Sequence, residues 1–100
     1  MQLMNEALCR KFHQHGPQDE TEDPLFFTRY WHTQTGEQWY MSEYDPEKRE
    51  FYGYYRYPGD FRWDFFLLDE LIAMHIKGGG CINRDENFRV SRSSYIILAS

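Results

Sequence analysis

The sequence predicts an α+β domain: a four- to five-stranded antiparallel meander sheet with two short helices packed on one face. Three observations point there. Sixteen of the 19 aromatic residues lie between Phe26 and Phe66, in runs with the two-residue period of strands. Those runs are separated by short turn signals at 33–36, 45–47 and 58–60, and short connections join antiparallel neighbours. On either side, segments 4–15 and 68–76 place apolar residues at helical spacing.

In residues 4–15, Met4, Ala7, Leu8 and Phe12 form a stripe, Asn5 is placed to cap the start, and Gly16-Pro17 stops the helix. A helix this short is marginal alone and is expected to pack on the sheet. Residues 17–24 read as a linker with four acids, Asp19, Glu20, Glu22 and Asp23. Such a string is either a solvated loop or a ligand for a basic groove.

The first strand, 25–32, sets Leu25, Phe27, Arg29 and Trp31 against Phe26, Thr28, Tyr30 and His32. Both sides hold aromatics, so neither is marked as the buried one. The second strand, 37–44, puts Trp39 and Met41 on one side and Tyr40, Ser42 and Tyr44 on the other. Pro46 shapes the next turn. In the third strand, 50–57, Phe51, Gly53, Tyr55 and Tyr57 oppose Tyr52, Tyr54 and Arg56, and Gly53 predicts a bulge or a closely packed neighbour. Pro58-Gly59 fits a type II turn. In the fourth strand, 61–67, Phe61, Trp63, Phe65 and Leu67 are expected inward, with Arg62 and Asp64 outward.

The second helix, 68–77, should bury Leu68, Leu71, Ile72 and either His75 or Ile76, with Asp69 and Glu70 favouring its positive end. Gly78, Gly79 and Gly80 end it and are expected to form a mobile loop. Residues 81–88 read as irregular with a short extended piece. Residues 91–94 are a polar spacer. The apolar, β-prone tail 95–98 is expected to dock as an edge strand or to drive homodimer formation.

One hundred residues make one domain, 1–100. Two cysteines, Cys9 and Cys81, form no disulfide framework and suit free thiols in a cytoplasmic protein. The N-terminal stretch has no continuous apolar core of a secretory signal, and no run approaches the roughly 20 apolar residues of a membrane span. Net charge is −5, but residues 19–70 alone hold 13 acids and five bases. Such a field repels nucleic-acid phosphate and attracts basic surfaces.

Catalytic constellations are not apparent. Cys9 and His13 are spaced i, i+4, with His15 and Cys81 as further ligands, yet the set matches no standard zinc spacing and is read as an ordinary helix surface without metal. No nucleophile elbow occurs. The glycine run follows a helix instead of opening one, so it is not a phosphate loop. Glu43, Asp45, Asp60 and Asp64 read as an acidic surface rather than an acid–base pair. The tyrosines Tyr40, Tyr44, Tyr52, Tyr54, Tyr55 and Tyr57 lack the basic neighbours of a base-stacking platform. Cross-strand packing or protein contact suits them better. No cofactor is expected.

The order Phe26-Phe27, Trp39-Tyr40, Glu43-Tyr44-Asp45-Pro46, Phe51-Tyr52-Gly53-Tyr54, Phe66-x-Leu68-x-Glu70-Leu71 and Ile82-Asn83-Arg84-Asp85 with Phe88 resembles the domain-of-unknown-function family 2958 over roughly residues 5–90. The resemblance implies a small soluble bacterial protein borne on plasmids, phages or integrative elements, often near antirestriction genes, with no assigned catalytic residue. Two features depart from it. Leu67 stands where a capping Ser or Thr is usual, which predicts a looser helix start, and the tail 95–98 lies outside the similarity.

The expectation is therefore a non-enzymatic inhibitor of a host defence complex, of anti-CRISPR or antirestriction type. It would occlude a basic groove on a protein or ribonucleoprotein, without contacting nucleic acid itself. The expected contacts are Asp19, Glu20, Glu22, Asp23, Glu43, Asp45, Glu47, Tyr52 and Tyr54. The alternatives are an accessory protein- or nucleic-acid-binding module of a mobile element, and a small enzyme or metal protein using Cys9, His13 and His15.

Overall fold

The computed structural model describes residues 3–18 and 21–99. A five-stranded antiparallel sheet runs in the order β5-β4-β3-β2-β6. Its strands are β2 (Thr28–His32), β3 (Gln38–Asp45), β4 (Glu50–Tyr57), β5 (Asp60–Leu67) and β6 (Ile82–Arg84). A separate two-stranded pair joins β1 (Leu25–Phe26) to β7 (Ser91–Arg92). Three helices complete the chain: α1 (Glu6–His15), α2 (Leu68–Lys77) and α3 (Ser93–Leu98). The architecture is the expected α+β meander, with the short extended piece after the glycines supplying the fifth strand beside β2.

α1 begins as its sequence suggests: the Asn5 side chain accepts the Leu8 N–H at 2.8 Å. It ends at Gly16, whose positive φ of 74° lets its N–H reach the Phe12 carbonyl. Leu8 and Phe12 are buried, while Ala7 is exposed. α2 starts without a side-chain cap at Leu67, but the start is held: the Leu68 N–H donates to the Arg49 carbonyl at 2.8 Å. In α2 the inner residues are Leu68 and Leu71, then His75, whose Nδ1 accepts the Ile82 N–H at 3.2 Å; Ile76 is exposed. The glycine run is tied down: the N–H groups of Gly78, Gly79 and Gly80 donate to the carbonyls of Met74, Ile76 and His75.

The sheet has two apolar faces, which the sequence left open. α1 and α2 cover one, over Tyr30, Trp39, Met41, Phe51 and Tyr55. The far face buries Phe26, Tyr40 and Tyr54, with Trp63, Phe88, Ile96 and Ile97 packed on them. So α3 lies on the face opposite the other two helices. This corrects the expectation that the tail docks as an edge strand. Ile96 and Ile97 turn inward, and the helix start is held by Asp23. Tyr95 and Leu98 remain exposed.

Two further expectations are corrected. The first strand is not continuous. It breaks at Phe27, so that Phe27 and Tyr30, which strict alternation sets on opposite sides, both join the α1 side, while Phe26 joins the far face. On β5, Phe61 is 67% and Phe65 is 61% exposed, not inward. β5 is an edge strand, and α3 reaches across the far face only as far as Trp63. Gly53 behaves as expected. It pairs with Met41 beside a bulge at Ser42, and a Cβ on it would sit 2.9 Å from the Met41 Cα.

Candidate partner-binding groove

The bulge in β3 builds the site. One extra residue, Ser42, shifts the register between Met41 and Glu43, so Glu43 comes to face the same way as Tyr52. Gln18 holds the outer segment to this bulge. Its Nε2 donates to the Ser42 carbonyl (2.7 Å) and the Leu25 carbonyl (3.1 Å), and its Oε1 accepts the Leu25 N–H (2.7 Å). The side chain is only 4% exposed. Nothing in the sequence marked Gln18, because a buried glutamine and a linker glutamine look alike. Removing it with Gln18→Ala leaves buried backbone groups unpaired and should cost about 1–3 kcal/mol by urea unfolding.

On the far face, residues 21–24, the bulge, the β4–β5 edge and α3 enclose an open groove of about 940 Å³. Its aromatic lining is Tyr52, Trp63 and Phe65. Tyr52 stacks on Trp63 at 5.7 Å and packs against Phe65 at 4.9 Å. Glu22, Asp23 and Glu43 line the same groove, and α3 adds Ile97 and Leu98. A second depression of about 490 Å³ shares Glu43, Tyr52 and Phe65 with it and adds Asp45 and Lys48.

Four of the expected contacts, Glu22, Asp23, Glu43 and Tyr52, thus meet in one groove, with Asp45 next to it. Glu47 is exposed on the adjoining turn, which the Asp45 carboxylate organises by accepting the Glu47 N–H at 3.0 Å. Tyr54 is corrected: at 7% exposed it is part of the far-face core beneath the groove. Asp19 and Glu20 lie outside the described residues. Alternation sets Trp63 and Phe65 inward, which holds for Trp63 but not for Phe65, and the tail reads as an edge strand or a dimer contact, so the sequence does not mark the groove's apolar half.

Asp23 is also corrected, since it is not a free linker acid. Its carboxylate accepts from the Ser94 N–H (2.9 Å), the Ser94 hydroxyl (2.7 Å) and the Ser93 hydroxyl (3.0 Å). These bonds, the Ser94 side chain first, hold its pKa below the usual carboxylate range. With the folded value below the unfolded one, the contribution is complete above about pH 4 and is lost as pH falls through the folded value. Acid titration should therefore loosen α3, seen as a lower protection factor of the Ser94 amide once its intrinsic exchange rate is corrected for pH, and Asp23→Asn should abolish that pH dependence. Other acids are balanced within the chain. Arg62 bridges Asp60 (2.8 Å) and Asp64 (3.2 Å), Arg49 pairs with Asp69 (2.9 Å), and Arg29 with Asp85 (3.5 Å). Among the described residues, no lysine or arginine lines the groove.

The metal candidates are not assembled. Cys9 and His13 line a shallow depression of about 260 Å³, while His15 packs on Phe27 at 5.2 Å. The buried Cys81 thiol donates to the Met74 carbonyl at 3.3 Å. Among the described residues, no group of three His, Cys, Asp or Glu side chains is placed to hold a metal ion. Nor is any described helix long and apolar enough to cross a membrane. No family model, curated protein or solved structure matches the chain.

Proposed function

We propose that this protein is a non-enzymatic binding module that docks its acidic, aromatic groove onto a basic protein surface. The observation that supports this is convergence. Glu22, Glu43 and Tyr52, distant in sequence, meet beside the exposed Phe65 in a groove with no lining cation among the described residues. Aromatic rings are enriched at interfaces, and carboxylates favour a basic partner. The finer version rests on the resemblance to family 2958: a cytoplasmic inhibitor of a host defence complex, of anti-CRISPR or antirestriction type, that occludes a nucleic-acid-binding groove. Affinity capture from a host with such systems should recover a defence subunit. Glu22→Lys with Glu43→Lys should weaken that capture by about tenfold or more. Recovery of no defence subunit by the wild-type chain overturns the inhibitor reading.

One observation favours an accessory nucleic-acid-binding module instead. Arg56 lies 5.3 Å over Tyr40, and Arg29 lies 5.9 Å from Trp31 and Tyr40, a cation–aromatic arrangement. Arg29 is paired with Asp85, however, and Arg56 is bonded to Gln38, Tyr40 and the Ile96 carbonyl. A gel shift with single-stranded DNA at moderate salt separates the two readings.

A further inference from the structure

We infer that β5 is a pairing edge for a second copy of this chain, the two β5 strands running antiparallel about a twofold axis at Trp63 and joining two sheets into one. The inference stands apart from the docking of a basic partner.

The first observation is the free edge. β5 is the outermost strand, eight residues long, and among the described residues no strand pairs with its outer side. Sheets commonly guard such an edge with a lysine, a proline or a bulge. Asp60–Leu67 contains no lysine or proline and runs along β4 without a register shift. The opposite edge of the sheet, β6, has three residues, so pairing through β5 closes at two copies and does not grow into a filament.

The second observation is which backbone groups point outward. At one end of β5 the Leu68 N–H donates to the Arg49 carbonyl, in register with the ladder. At the other end the two-residue turn makes Tyr57 and Asp60 the closing pair. Bonding alternates along an antiparallel strand, so Asp60, Arg62, Asp64 and Phe66 turn their N–H and C=O groups to β4, while Phe61, Trp63 and Phe65 turn theirs to the open edge. The Phe65 N–H accords with this: it donates to Asp64 Oδ1 at 2.8 Å. Two such edges meet only with outward residues opposite outward ones, so the twofold axis must pass through a single residue.

The third observation is that the strand is its own complement in one such register. Centred on Arg62 or on Asp64, the pairing sets like charges against each other, which is unfavourable. Centred on Trp63, it sets Arg62 opposite Asp64 and Phe61 opposite Phe65, each twice. The ion pairs fall on the side of Tyr55, over which Arg62 already lies at 4.6 Å, and the rings fall on the far face. Phe61 and Phe65, 67% and 61% exposed, are then covered. The Phe65 N–H passes from Asp64 to the Phe61 carbonyl of the second copy. Because Phe65 lines the groove, Phe61 of the second copy extends its aromatic wall.

Sedimentation equilibrium of the full chain should show a monomer–dimer equilibrium with a Kd on the order of 10–100 µM, as suits a small interface. Monomer alone at about 500 µM, well above that Kd, overturns the inference. Arg62→Asp sets two carboxylates opposite each other and should weaken association by about tenfold or more. Adding Asp64→Arg reverses both charges and should restore association to within about threefold of the wild type. Both side chains are about half exposed, so the fold should be kept. A dimer indifferent to the single substitution, or not rescued by the second, overturns the register. A further readout needs no variant: hydrogen-exchange protection of the Phe61 and Trp63 amides should rise with protein concentration at fixed pH. A dimer without that rise overturns the use of this edge.

Discussion

Gly53→Ala should destabilise this protein by about 3 kcal/mol, at the upper end of what overpacking costs. A Cβ at this position would collide with the Tyr40 carbonyl oxygen and lie 2.9 Å from the Met41 Cα and 3.0 Å from the Met41 Sδ. Two of those three obstacles are backbone atoms. They cannot swing aside, because β3 is bonded to β2 on one side and β4 on the other, and Gln18 holds the adjacent bulge. Strand propensity argues the other way. Glycine inside a strand is entropically costly, so propensity alone would give alanine a gain of about 0.5–1 kcal/mol. The two arguments differ in sign, which makes the measurement decisive. Urea unfolding should show a lower midpoint with an unchanged slope. A midpoint equal to or above the wild type would mean that the strands have room at Met41. Against a total stability of about 5–15 kcal/mol for a domain, the expected loss is a large fraction.

What the sequence revealed follows from how local each signal is. Asn5, Gly16, Gly53 and Pro58-Gly59 act within a few residues or across one strand pair, and each does what its residue type implies: Gly59, for instance, takes a φ of 88°. Alternation on β5 correctly grouped Phe61, Trp63 and Phe65 on one side, but it says nothing about what covers that side. Trp63 is packed and its two neighbours are exposed because α3 stops short of them. The tail reads as β-prone, yet it is helical because Asp23, about 70 positions earlier, accepts from its first turn. Such a cap cannot be read locally. The same holds for the site. Charge count brought out Glu22, Glu43 and Asp45 in and beside the groove, and it gave equal weight to Asp60, Asp64 and Asp69, which lie elsewhere and pair with arginines of the chain. Ser42 and Gln18 act only through a bulge and a buried amide, neither of which leaves a pattern in the sequence.

Phe26→Ala should be still more damaging, about 3–5 kcal/mol, and its pattern of damage bears on function. Phe26 is fully buried and stacks on Trp63 at 5.4 Å and 28°, while also meeting Tyr40 at 5.4 Å and Tyr54 at 6.5 Å. It ties the short β1 pair to the far face, and through Trp63 it supports the groove floor. On a sheet with a single core the far face would be mere cover, and truncation there would cost little. Here the ring is at the centre of a second cluster, so its loss should lower Tm by roughly 12 °C or more, taking about 4–8 °C per kcal/mol for a domain of this size. Phe26→Leu, which keeps most of the apolar volume but removes the stack, should fall between the alanine variant and the wild type. Trp63 emission should shift red in the alanine variant below its melting point, as the indole loses its buried neighbour. A Tm drop under about 5 °C would show that α1 and α2 alone stabilise the domain and that α3 rests on a dispensable surface. In that case the groove would have no rigid floor on which to dock a partner.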